Sequence, residues 1–215
     1  MFVAQTNLQL YAQLPPSQLP AVAAAYELAT QLFSGQFRAS GKPFLAHLVG
    51  TASILAQLGR SLEEITTGLL HAAYDNGDFG ANSGSKREEV RGVIGELAES
   101  YLETYSSLPW DPDRYPASDS PLERAALVVR VANELEDLLD GSLAWVGPQR
   151  AAKMQARIEP TARLADRLEL PELARALRQI QPCQPASSNR PESSYTLAPR
   201  TYARVAEIVA KRLQR

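Results

Sequence analysis

An all-α fold is predicted by three observations. Apolar residues recur at helical spacing along most of the chain, no run alternates with the period of two that a half-buried strand shows, and Gly or Pro punctuates the periodic segments at helix-length intervals. In order along the chain, "PAVAAAYELATQLFSG" is an amphipathic helix stopped at Gly35, a suitable C-cap residue. Pro43 suits the first turn of the next helix, "PFLAHLVGTASILAQLG", which ends at Gly59. Ser61 and Glu64 have capping-box spacing and open "LEEITTGLLHAAYD", read as one helix. "DNGDFGANSGSK" has the composition of a loop, and a helix from about Arg87 to Tyr105 follows it. After the Pro- and Asp-rich "LPWDPDRYPASDSP", the segment "LERAALVVRVANELEDLLD" is strongly amphipathic and stops at Gly141. Two more helices are expected within 149–170 and 172–180. The expected organisation is a helical domain over residues 1–181, a Pro/Ser-rich linker or arm over 182–199, and a short C-terminal helix over 200–215.

With 215 residues and 45% hydrophobic content, the chain can bury one sizeable core. The formal net charge of -2 gives no global basic balance, and the basic end "AKRLQR" is too short to argue for nucleic acid, so neither DNA nor RNA is expected as a partner. No apolar run approaches the roughly 18 residues of a membrane helix, and the N-terminus lacks a basic signal-peptide region. A single cysteine, Cys183, rules out an internal disulfide framework. These features lead to the expectation of a cytoplasmic protein with no membrane partner.

Two stretches carry more specific information. "GQFRASGKPFLAHLVGTASILAQLG", followed by "TTGLLHAAYDNGD", resembles the hydrolase domain of the RelA/SpoT enzymes, HD-superfamily proteins that remove pyrophosphate from (p)ppGpp. That family runs G-Q-x-R-x-S-G-x-P-Y-x-x-H-P, then L-L-H-D-x-x-E-D, then K-x-A-D-R. Gly35, Gln36, Arg38, Ser40, Gly41, Pro43 and His47 fall in register with the first motif, and "RVANELEDLL" fits the last in spacing. The similarity runs from Tyr26 to Leu139 and implies an HD-domain-like helical bundle.

The resemblance implies a single divalent ion, manganese in the family, held by His47, His71 and two aspartates. Here those aspartates are replaced by Ala72 and Asn133. The acidic pair after the second histidine becomes Asp75 and Asn76, the positions carried over as catalytic. Arg38 matches the arginine that packs on the guanine base, and Ser40 the serine that follows; both are candidate ligand-binding residues. Ala39 stands where the family has a basic residue facing phosphate.

The departures have physical weight. Manganese is a hard ion that prefers carboxylate oxygen, whereas two imidazoles and an amide suit zinc, nickel or ferrous iron better. Asp75, four residues after His71, would share its face on a continuous helix and is the obvious carboxylate to recruit; Asp78 is a second candidate. Ordinary roles stand beside each of these. A histidine on an apolar helix can be a satisfied core residue, Asn76-Gly77 is turn chemistry, and Arg38 can pair with a surface carboxylate. Asn133 on a buried stripe can hydrogen-bond His71 or water.

The resulting expectation is a degenerate HD-domain protein that binds a nucleotide or other phosphorylated small molecule without classical manganese-dependent hydrolysis. An active metal phosphohydrolase with a remodelled His/His/Asp site is the alternative. A second alternative is a helical interaction module that forms a homo-oligomer or engages a protein partner through its C-terminal arm. The expected cofactor is at most one divalent transition metal (Mn, Zn or Fe).

Overall fold

A computed structural model describes residues 2–38, 40–80, 85–115, 120–140, 143 and 146–180. The expected arm and final helix, with Cys183, lie outside these residues. The described chain is an all-α bundle: α1 Asn7–Tyr11, α2 Leu19–Phe33, α3 Phe44–Gln57, α4 Leu62–Leu70, α5 Ala73–Asn76, α6 Lys86–Ser107, α7 Pro121–Leu139, α8 Pro148–Arg167 and α9 Pro171–Arg178. Its one extended contact among the described residues is an isolated antiparallel bridge between Phe37 and Pro43, which closes the loop from α2 to α3. No helix of the described residues is long and apolar enough to cross a membrane.

Local chemistry sets most helix ends. Gly35 and Gly59 adopt positive φ (76° and 63°) just beyond α2 and α3, a conformation that glycine enters at no steric cost. At the start of α4 the Ser61 hydroxyl accepts from the Glu64 amide at 3.2 Å, and the Glu64 carboxylate accepts from the Ser61 amide at 3.0 Å. Pro43 is the N-cap of α3 rather than part of its first turn.

One expected helix is in fact two. "LEEITTGLLHAAYD" breaks after Leu70, and Ala72 sits at φ -99°, ψ 5°. The His71 ring supplies the reason. Its Nδ1–H donates to the Gly68 carbonyl at 2.8 Å, taking up the oxygen that Ala72's amide would need in a continued helix.

The core lies where α3, α4, α6 and α7 pack together, with α2 covering α4 and α6. Leu48, Ile54, Leu55, Ile65, Leu69, Leu127 and Leu135 are fully buried there. Each such side chain contributes about 1.5–3 kcal/mol of transfer free energy. Gly68 allows α3 and α4 to cross closely: a Cβ there would lie 2.7 Å from Leu55 Cδ1. That close crossing brings His47 of α3 against His71 at the end of α4.

Candidate functional site

The two histidines meet in the interior. His47 is 0% and His71 3% exposed, and their Nε2 atoms are 3.1 Å apart. The second ring nitrogen of each is held. His71 Nδ1 is bonded to the Gly68 carbonyl, and His47 Nδ1 to the Glu136 carboxyl group from α7. Tyr105 packs its ring on His71, with centroids 5.4 Å apart.

The partners assign the tautomers. Because Gly68 only accepts, His71 carries its proton on Nδ1 and accepts at Nε2 from His47 Nε2–H. His47 is then left accepting at Nδ1, and the proton between it and Glu136 sits on the carboxyl. Burial favours that arrangement on both sides, since it holds both histidines well below the usual imidazole range and pushes Glu136 up. The nearby cations Arg38 and Lys42 further depress His47.

Glu136 was not among the sequence candidates, yet it is the best-connected side chain of the centre. It is 1% exposed, bonds His47 through one oxygen and Lys42 through the other. It fits only because residue 50 is glycine: a Cβ there would lie 2.6 Å from Glu136 Oε1. Next to it, Asp137 pairs with Arg38 and comes within 3.5 Å of His47 Nδ1.

Two sets of atoms can hold a metal ion. His47, Glu136 and Asp137 each offer a ligand atom, all within 4.8 Å of one another. Their carboxyl groups are already engaged by Lys42 and Arg38, with which a cation would compete. The second set is the two Nε2 atoms. Nitrogens bound at about 2.0–2.1 Å, with an angle near 100° between them, are roughly 3.1 Å apart. Both Nδ1 positions already have the backbone or carboxylate partner that metal-bound histidines use. The amide of Asn133 lies against His47, and its Oδ1 is buried with no hydrogen-bond partner. An amide oxygen beside the His47 ring, together with the two imidazole nitrogens, is a donor set that fits a borderline ion such as zinc better than manganese.

A cavity of about 670 Å³ opens beside this centre. Arg38 and Ser40, predicted from one motif, and Asn76, predicted from the next, all line it. The Arg38 guanidinium lies 5.5 Å over the Phe44 ring, and Phe44 is stacked on Phe33 at 4.8 Å. Trp110 and Phe37 add apolar walls, and Phe37 is 51% exposed at the rim. Arg130, between the Tyr105 and Trp110 rings, donates to the carbonyls of Tyr105 and Leu108. Ser40 also borders a second cavity of about 520 Å³ beside Lys42 and Glu136, and its hydroxyl donates to Asp140 at 3.3 Å. Two acids face the larger cavity. Burial pushes Glu134 up to about 7 and Asp137 up to about 6.

Asp75 is exposed on α5 and is not part of the cavity wall. The helix break at His71 and Ala72 removes the shared face on which its expected role rested. Ala39 lies outside the described residues.

Fold and site together define an all-helical bundle with a buried histidine pair beside a basic, aromatic-walled cavity. Residues 28–109 match a family described as a domain of unknown function, DUF6817. The chain is 26% identical over 204 residues to a probable GTP pyrophosphokinase of Mycobacterium leprae, covering 92% of this chain and 24% of that protein. It is 26% identical over 202 residues to the bifunctional (p)ppGpp synthase/hydrolase RelA of Mycobacterium tuberculosis, covering 92% of this chain and 26% of that one. Over 70 residues it is 35% identical to the bifunctional (p)ppGpp synthase/hydrolase SpoT of Escherichia coli, 33% of this chain and 10% of that protein. The chain is thus related to the RelA/SpoT enzymes and spans about a quarter of the length of the mycobacterial relatives.

Proposed function

We propose that this chain is a degenerate HD-domain protein that binds a nucleotide or another phosphorylated small molecule in the larger cavity, without manganese-dependent (p)ppGpp hydrolysis. The observation that carries this reading is the contrast within one site. Arg38, Ser40 and Asn76 share a cavity wall beside stacking surfaces, while the histidine pair is buried and lacks both aspartates. A cation over an aromatic ring offers a flat platform for a base. Nucleotide-processing relatives supply the ligand class.

The test is calorimetric titration of guanosine and adenosine nucleotides, paired with an assay for pyrophosphate release from (p)ppGpp in manganese. Binding that weakens about tenfold in Arg38→Ala, with no turnover, is expected. Turnover by the wild-type chain would sink the reading.

A second reading keeps chemistry at the histidines, and the 3.1 Å separation of their Nε2 atoms favours it. His47, His71 and the Asn133 oxygen would hold one divalent ion, whose contribution would be Lewis-acid activation of water. Glu136 would then accept from His47 Nδ1–H, so loading would release one proton from the pair. Elemental mass spectrometry of protein purified without chelator tests it. About one equivalent of a transition metal, lost in His71→Ala, would support a remodelled centre, and metal-free protein would remove it. A protein partner engaged through the arm concerns residues outside those described.

A further inference from the structure

The larger cavity has a third wall, from α8, that no sequence motif singled out. Arg150, Lys153 and Arg157 line it at positions i, i+3 and i+7 of one helix face, all before Pro160. The cavity's other cations are engaged: Arg38 by Asp137, and Arg130 by the carbonyls ending α6. None of the three α8 cations makes a salt bridge to a described residue, although Arg157 faces Glu134 across the cavity. Five basic and two acidic side chains line the space, leaving it strongly cationic on the α8 side.

We infer that this face of α8 is the phosphate subsite of the pocket and that it selects a ligand carrying at least two phosphate groups. The inference rests on the nucleotide reading above and adds where the charge is read. Three cations over eight residues span about 10 Å of helix, more than one phosphate can bridge and suited to a diphosphate or to phosphates at two positions of a sugar. Arginine forks and a lysine point charge are the side chains that hold such groups.

Titration calorimetry with guanosine and adenosine mono- and diphosphates and with inorganic pyrophosphate tests this, on wild type, on Lys153→Ala/Arg157→Ala and on Arg38→Ala. All three α8 side chains are exposed, so the double variant should keep the wild-type melting temperature. The expected result is diphosphate binding at least tenfold tighter than monophosphate binding in wild type. The double variant should lose that preference, with diphosphate affinity falling at least tenfold further than monophosphate affinity. An unchanged preference in the double variant overturns the inference, even if Arg38→Ala shows that nucleotides bind. Pyrophosphate binding that disappears in the double variant, with no nucleotide binding, upholds the phosphate subsite and ends the nucleotide reading. No binding of any probe to wild type overturns both.

Discussion

The histidine centre and the cavity beside it share α7 and the Arg38–Lys42 loop, yet they are built on opposite terms. In the centre each imidazole nitrogen already has a partner and both rings are buried. In the cavity, charged side chains outnumber their partners and aromatic faces stand open. A charged, open concavity thus stands directly beside a buried histidine pair whose ring nitrogens are already engaged.

The largest expected effect tests the sealed half. Glu136→Ala leaves His47 and Lys42 without their buried partner and should cost about 3–5 kcal/mol in denaturant unfolding. Glu136→Gln, which keeps hydrogen-bonding capacity, should cost clearly less. Equal, small losses in both would mean that the centre is not held together by that carboxyl group.

A smaller effect belongs to the acids of the cavity. Glu134 has its folded value raised from 4.5 to about 7 by burial. The folded state therefore binds more protons than the unfolded state between those values. The stability tied to its protonation is complete below about pH 4.5 and lost as pH rises through about 7. Glu134→Gln should gain about 2 kcal/mol over wild type between pH 5 and pH 8. His47 and His71 act in the opposite sense, losing stability as pH falls below 6.5, but they are common to both proteins and cancel in the difference. A difference independent of pH would place Glu134 in open solvent.

The smallest effect is expected at Asp75. Because it is exposed, Asp75→Ala should change stability by less than about 0.5 kcal/mol and leave metal content as it was. Loss of metal in that variant would return Asp75 to the centre and join the two halves more closely than their geometry suggests.

Much of the fold was legible because its signals are local. The Ser61–Glu64 box, the glycines after α2 and α3 and the apolar stripe of α7 each act within a turn or two of sequence. The neighbours Arg38, Ser40 and Asn76 were legible through motif register. Glu136 was not, because its role depends on a lysine and a histidine about ninety residues away and on the space left by Gly50. The signal was nonetheless present: a glutamate on the buried stripe of "VVRVANELEDLL", one turn after Asn133. The break at His71 was missed because a side chain competing for a helix carbonyl leaves no mark on apolar periodicity. The α8 cations were visible as spacing, but only the fold reveals that they face Arg38.

The contact between Gly50 and Glu136 constrains how these positions can change through descent. A side chain at 50 would meet the Glu136 side chain where it now lies, so that side chain or the α3–α7 crossing would have to shift. A larger residue at 50 is therefore expected together with a shorter or re-oriented side chain at 136. In a related chain, glycine at this position of α3 would leave the carboxylate of α7 the room to lie against the histidine pair.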